Sequence, residues 1–252
     1  MQRLDLLLVE RGLCQSRTHA QRLIKEQCVS GQYKNRWQTL TKPGLKVDED
    51  IELEVTPGEA DQYASRGALK LLAGLEITQL DVKGITAIDV GQSSGGFTDC
   101  LLQAGATHVV GIEVGHDQLI PRLREDDRVS CYEGMNARDL PDSLREHTQN
   151  HQGFDLAVMD VSFISQTKIL PSLVPLLKDG ATLISLVKPQ FEVGKEGIGS
   201  GGIVRDPSLY PQVERMIKEH CESLGLVIDH YIESPIKGGD GNREFLICAR
   251  VK

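Results

Sequence analysis

The chain of 252 residues has no long hydrophobic run. Its start, Met1-Gln2-Arg3-Leu4-Asp5-Leu6-Leu7-Leu8-Val9-Glu10-Arg11, is continuously apolar only from Leu6 to Val9, with charges on both sides. That is too short for the core of a secretion signal. No other stretch approaches the roughly 20 apolar residues a membrane span needs, so a cytoplasmic protein that stays out of the membrane is expected. Paired cysteines are missing as well. Cys14, Cys28, Cys100, Cys131, Cys221 and Cys248 are scattered, with no Cys-x-x-Cys pair and no histidine at zinc-finger spacing, which favours buried free thiols over a metal site. His147 and His151 stand four apart, but in the polar stretch Glu146 to Gln152, which reads as an exposed loop or frayed helix end. No metal is expected. Internal repeats and low-complexity tracts are also absent, and 252 residues at 40% hydrophobic can bury one full core plus one smaller domain.

An excess of positive charge is lacking overall, the net charge being −8. The charge that is there is unevenly placed. Residues 1–46 hold nine Lys and Arg against three acids, residues 47–60 hold six acids and no base, and the remainder is acidic. A basic N-terminal piece on an acidic protein points to contact with a polyanion. In this piece Leu4, Leu7 and Leu8 fall at helical spacing up to Gly12, and Ser16 caps a second helix in which Ala20, Leu23, Ile24 and Gln27 share a face. Arg17, Gln21 and Lys25 line up four apart on an adjacent face and could follow an RNA backbone, with Arg3 and Arg22 as further contacts; an ordinary solvated basic face is the alternative. Extended segments follow around Gly31, at Lys42-Pro43-Gly44 and from Ile51 to Val55, and Thr56 to Asp61 reads as a linker. The run from Arg3-Leu4-Asp5 through Leu8-Val9-Glu10-Arg11-Gly12-Leu13, Ser16-Arg17 and Ala20 to Lys42-Pro43-Gly44 and Val47 to Ile51 resembles the small RNA-binding module first seen in the fourth protein of the ribosomal small subunit. It departs where Val29-Ser30-Gly31-Gln32-Tyr33 replaces that module's Val-x-Val-Asn-Gly. The division expected is 1–60 for this domain and 62–252 for the rest.

From about residue 62 strands and helices alternate. A helix around Ala68 to Leu75 precedes apolar strands at Ile85 to Val90, Val109 to Val114, Val129 to Tyr132, Phe154 to Asp160 and Leu183 to Lys188. A helix from about Pro207 to Leu224 then leads to late strands near Leu226 to Glu233 and Glu244 to Val251. Continuous apolar strands between helices predict a parallel sheet covered on both faces. The fold class expected is α/β: a Rossmann-like seven-stranded methyltransferase sheet, last strand antiparallel, preceded by a small α+β domain.

Chemistry concentrates at the predicted strand ends. Asp89-Val90-Gly91-Gln92-Ser93-Ser94-Gly95-Gly96-Phe97-Thr98 lies where the first strand turns into a helix, the edge at which open α/β sheets bind ligands. Its spacing departs from Gly-x-Gly-x-x-Gly, and an acid before the first glycine repels pyrophosphate while suiting the ammonium and sulfonium of S-adenosylmethionine. Glu113 ends the next strand and can accept two hydrogen bonds from a cofactor ribose; Asn136, in Met135-Asn136-Ala137-Arg138-Asp139, is placed to frame an adenine. Asp160 and Lys188 close the fourth and fifth strands. A lysine ending an apolar strand needs a partner, so either it is salt-bridged to Asp160 or it joins a tetrad with Lys70 and Glu244. In the tetrad one ammonium depresses the pKa of the other and frees an amine to take the proton of a hydroxyl.

Ser65 to Leu71, Asp89 to Cys100, Leu101 to Ala106, Met159 to Ser165, Val187 to Glu192, Gly201 to Asp206, Ser234-Pro235-Ile236 and Gly241 to Leu246 resemble, in order and spacing, the TlyA family. Its members were named hemolysins but are ribosomal RNA 2′-O-methyltransferases with an FtsJ-like catalytic domain. The resemblance spans nearly the whole chain. It implies S-adenosyl-L-methionine as cofactor, ribosomal RNA or ribosomal subunits as partner, and a catalytic tetrad of Lys70, Asp160, Lys188 and Glu244. It further implies a cytidine in small-subunit or large-subunit rRNA, or both, as the target; the oligomeric state is not implied. Gln92 and Ser94 stand where the family usually has Ala and Thr, Ala68 where it has Gly, and Glu113 where Asp is common; Gln92 is the departure expected to bear on cofactor affinity. A noncatalytic RNA-binding or assembly factor would not need the tetrad, a nicotinamide oxidoreductase leaves the two lysines unexplained, and a membrane-lytic hemolysin needs an insertion segment that is not visible.

Overall fold

The computed structural model describes residues 1–14 and 16–252, which fall into two compact units, Met1–Gln62 and Tyr63–Lys252. In the first, β1 (Gln2–Arg3) leads into α1 (Leu4–Glu10) and, past a turn, α2 (Arg17–Lys25). Leu4, Leu7 and Leu8 of α1 and Ala20, Leu23 and Ile24 of α2 are buried together, as their spacing predicts. Ser16 caps α2 by accepting from the His19 backbone N–H. β2 (Val29–Tyr33), β3 (Arg36–Thr39) and β5 (Leu53–Val55) form an antiparallel sheet in the order β3-β2-β5, while β4 (Lys46–Val47) pairs with β1. β3 escapes sequence reading because all four of its residues are exposed, so it carries no alternation. The stretch read as a linker is tied down: Thr56 N–H donates to the Cys28 carbonyl, and Asp61 bonds to α2 through Arg22 and His19.

The second unit opens with α3 (Ala68–Thr78) and continues β6 (Thr86–Val90), α4 (Gly96–Gln103), β7 (His108–Glu113), α5 (Pro121–Arg124), β8 (Val129–Glu133), β9 (Phe154–Met159), α6 (Leu170–Leu173), β10 (Leu177–Val187), α7 (Leu209–Ser223), β11 (Leu226–Glu233) and β12 (Phe245–Val251). The seven strands lie in the order β11-β12-β10-β9-β6-β7-β8. β12 runs antiparallel to both its neighbours, and the pairs from β10 to β8 are parallel. This is the expected α/β methyltransferase sheet. Ile88, Val90, Val110, Ala157 and Met159 enter one apolar cluster while Ala87, Val109, Leu156 and Val158 enter another. Alternate residues of the same strands therefore feed two cores, which is what near-continuous apolar strands require.

His147 and His151 do not share a helix face: they lie on separate 3₁₀ turns broken at Asn150, whose φ is +54°. His147 is half-buried, with Nε2 2.6 Å from the Tyr132 hydroxyl and its ring stacked on His108. The six cysteines are free thiols, four of them buried. Among the described residues no cluster of His, Cys, Asp or Glu could hold a metal ion, and no helix is long and apolar enough to cross a membrane.

Candidate active site

Adjacent strands end together at one edge of the sheet and carry their next residues to one place. Asp160 follows β9, its N–H donating to the Val90 carbonyl of β6 at 3.0 Å. Lys188 follows β10, and Glu244 immediately precedes β12, whose Phe245 pairs with Val187. Lys70 comes from the first turn of α3, which packs on β10 and β12. The four side chains form a line of alternating charge. Lys70 Nζ lies 2.6 Å from Glu244 Oε2 and 3.6 Å from Asp160 Oδ2, and Lys188 Nζ lies 2.5 Å from Asp160 Oδ1 and donates to Ser162 Oγ at 3.0 Å. Lys70, Lys188 and Glu244 are buried. Two ammoniums and two carboxylates cancel, which is how a polar cluster this deep is tolerated. The salt bridge between Lys188 and Asp160 and the four-residue constellation are thus both present.

The loop after β6 runs past this cluster. Gly91 has φ +85°, and a Cβ there would stand 2.4 Å from the Asp160 carbonyl oxygen, so only glycine permits the approach. Ser93 also adopts a left-handed conformation, φ +48°, which turns its N–H onto Glu113 Oε2 at 2.8 Å. Gly115 N–H donates to Glu113 Oε1, also at 2.8 Å. Each Glu113 oxygen therefore accepts one backbone bond and keeps a lone pair for a diol.

Asp89 departs from its expected place. It is fully buried inside β6, its Oδ2 accepting from Thr98 Oγ1 at 2.7 Å, and it lines no cavity of the site. Burial pushes its carboxyl up to about 7, with the Asp160 and Glu113 charges adding to the rise and the Thr98 hydrogen bond opposing it. Gln92 turns inward too: Nε2 donates to Thr98 Oγ1 at 2.9 Å, and the amide occupies the space above Gly111, where a Cβ would lie 2.0 Å from it. The unusual Gln92 side chain is therefore part of the support beneath the loop.

A cavity of about 860 Å³ is lined by Glu113, Met135, Asn136, Ala137, Asp160 and Phe163 among others; a smaller one of about 190 Å³ is lined by Ser93, Ser94, Gly96, Phe97, Asp160 and Lys188 among others. They share Gly91, Ser93, Asp160 and Ser162. The larger volume falls within the range of cofactor pockets. Gly95, Lys70 and Glu244 line neither, and the last two stand behind Asp160. Three residues at the site were not singled out from the sequence: Ser65 beside the loop, Ser162 on Lys188, and Phe163. Phe163 is 91% exposed with φ +64°, its ring 5.2 Å from that of Phe191. A bulky residue held left-handed and open to solvent is costly and gathers at functional sites. Ser162 and Phe163 follow Asp160 in the same motif, after Val161, and were legible on that ground.

Comparison with known proteins bears directly on this arrangement. The model of the FtsJ-like methyltransferase family matches residues 63–251, and the S4 domain model matches residues 2–30. The chain belongs to the FtsJ-like methyltransferase family. Along nearly its full length it is 44% identical to YqxC of Bacillus subtilis, over 98% of this chain and 84% of that protein. It is 38% identical to the 16S/23S rRNA (cytidine-2′-O)-methyltransferase TlyA of Mycobacterium tuberculosis, over 99% of this chain and 90% of that one. A solved structure from Streptococcus thermophilus superposes with a TM-score of 0.75 at 38% identity, covering 100% of this chain and 88% of that one. The TlyA resemblance read from the motifs and the methyltransferase fold class both hold.

In this FtsJ-like methyltransferase the S4-matching unit spends much of its positive charge internally. Arg3, Arg17 and Gln21 converge on Asp5, which is fully buried and whose carboxyl is held well below the usual range, mainly by the Arg3 guanidinium. Arg22 pairs with Glu26 at 2.9 Å and with Asp61. Of the four basic residues expected to meet RNA, only Lys25 has no carboxylate partner among the described residues. The row of Arg17, Gln21 and Lys25 is thus two-thirds occupied by a structural acid.

Proposed function

We propose that this protein methylates a ribose 2′-hydroxyl of ribosomal RNA, a cytidine as in the Mycobacterium tuberculosis relative, using S-adenosylmethionine. The observation that carries the reading is the Glu244–Lys70–Asp160–Lys188 line ending in a groove with Glu113 at its far wall. The residues fit that cofactor: Glu113 keeps acceptors for a ribose diol, Asn136 lines the wall suited to an adenine, and Gly91 lets the backbone come close. Bound there, S-adenosylmethionine supplies a methyl group on a positively charged sulfur. Lys188, on the groove and fixed by Asp160 and Ser162, holds the 2′-oxygen; it passes one ammonium proton to the Asp160 carboxylate beside it, and the freed amine takes the proton of the hydroxyl as the oxygen accepts the methyl group. Lys70 does not reach the groove; it and Glu244 hold Asp160 in place and are positioning residues. Phe163, exposed on the rim, offers a face against which the target base rests.

Mass-spectrometric mapping of ribose methylation on rRNA, from cells with and without the protein and after treatment with purified enzyme, tests this. One or a few 2′-O-methylated cytidines should appear only with the protein. Methylation on a base atom, or none, sinks it.

A further inference from the structure

With Arg3, Arg17 and Arg22 engaged by carboxylates, the unspent charge of the first unit lies elsewhere. Residues 27–47 contain Lys34, Arg36, Lys42 and Lys46 and no acid at all. All four cations are exposed and have no ion pair among the described residues. At the centre of this stretch β2 and β3 form a hairpin closed by Lys34-Asn35, both left-handed at φ +52° and +60°, the geometry of a two-residue turn. Trp37, the single tryptophan of the chain, stands on β3 and is 52% exposed. Register places it opposite Gln32, with Thr39 opposite Ser30, on the face turned away from the buried Val29 and Gly31. Its neighbours on that face are polar, so it is a single exposed ring among hydrogen-bonding groups. That does not make the contiguous apolar patch of a protein interface. Lys34 Nζ sits 5.4 Å from the centre of the Tyr33 ring, and the acids of this sheet, Glu52 and Glu54, belong to the opposite edge beyond β2.

Lys34, in the turn and over the Tyr33 ring, and Arg36, opposite Tyr33, stand at the tip and on the other face of the hairpin, so a strand that stacks a base on the exposed indole meets the cations with its phosphates as it passes around the tip, the combination that binds unpaired nucleotides. We infer that the β2–β3 hairpin is a platform for single-stranded RNA, with Trp37 stacking on an unpaired base and Lys34 and Arg36 contacting its flanking phosphates. The inference rests on the rRNA reading above and adds to it a second contact, made by the first unit to an unpaired stretch of the RNA.

The single tryptophan makes its own probe. A short unstructured oligopyrimidine RNA is titrated into the full chain while tryptophan emission and the anisotropy of a dye on the RNA are read together. Emission should be quenched in step with binding, and a duplex RNA of equal length should quench far less. Trp37→Ala should weaken oligomer binding roughly ten-fold and Trp37→Phe much less. Arg36→Glu and Lys34→Glu should each lower the salt slope by about one. In methylation assays Trp37→Ala should raise KM for rRNA and leave kcat and cofactor affinity alone. Oligomer binding with unchanged emission and an unaffected Trp37→Ala variant overturns the platform, as does equal quenching by duplex. Loss of activity on whole ribosomal subunits, with naked-RNA binding intact, replaces it with a protein contact. Failure of the parent protein to methylate rRNA overturns the rRNA reading itself, whatever the quenching shows.

Discussion

Asp89 and Lys188 are both buried charge-bearing side chains, yet their surroundings give them opposite tasks. Asp89 is enclosed, and both its Oδ1 and the Oε1 of Gln92 are buried acceptors without a donor among the described residues. A proton on Asp89 removes one orphan and provides a donor, in keeping with a carboxyl raised to about 7. The folded state then holds a proton that the unfolded chain releases near pH 4, so stability falls as pH rises between about 4 and 7. Asp89→Asn, neutral at every pH, should remove that slope and be at least as stable as the parent above pH 7. Thermal melts of the cofactor-free proteins across pH decide it; parallel curves for parent and variant would place a charged Asp89 in the fold. Lys188 lines the groove, so its loss should appear in chemistry. Lys188→Met, which keeps most of the volume, should lower single-turnover methyl transfer by about 10²- to 10⁴-fold while S-adenosylmethionine affinity by calorimetry stays within a few-fold. Near-normal transfer by this variant would remove Lys188 from proton handling.

At the scale of elements, the loop after β6 is the part on which the most depends. It touches Asp160 through Gly91, Glu113 through Ser93 and the buried Thr98–Asp89 pair through Gln92. Gly91→Ala combines a left-handed backbone with a Cβ 2.4 Å from the Asp160 carbonyl, so the loop or the end of β9 must shift. Cofactor affinity and kcat should fall together, each about ten-fold or more. A Gly91→Ala enzyme with normal affinity and rate would show that the contact is slack. The strands around this loop were legible in the sequence because each is an apolar run of strand length, and Asp160, Lys188 and Glu244 were legible because they interrupt or bound such runs. Other features were not. The depth of Asp89 depends on α4 closing over β6, and the inward turn of Gln92 depends on a glycine in a different strand. The pairing of Arg17 with Asp5 and Arg22 with Asp61 joins residues 12 and 39 apart, which helical spacing does not record. Lys70 and Glu244 lie 174 residues apart, and no spacing or periodicity in the chain records that they meet.

For the whole molecule, the uneven charge predicts a division of labour. The first 46 residues carry six more positive than negative charges, and the remainder is acidic. The structure refines which charges are available: reversing Arg17 would set a carboxylate against the buried Asp5 and destabilise the first unit, so Lys25, which has no carboxylate partner among the described residues, is the site at which to test α2. Lys25→Glu should weaken rRNA binding, most visibly at low salt, and leave the melting of the protein unchanged. Removal of the unit goes further. The second unit has its own sheet and two apolar cores, so a fragment beginning at Tyr63 should fold and bind S-adenosylmethionine. It lacks every unpaired cation of residues 27–47, and the phosphate contacts that those cations supply account for much of the affinity of an RNA-binding protein. Its KM for rRNA should therefore rise by at least ten-fold and depend less steeply on salt. Steady-state methylation of rRNA by fragment and full chain, each at several salt concentrations, makes the comparison. Equal KM and equal salt dependence would mean that the catalytic unit gathers its own RNA, and the S4-matching unit would then have to serve a protein partner.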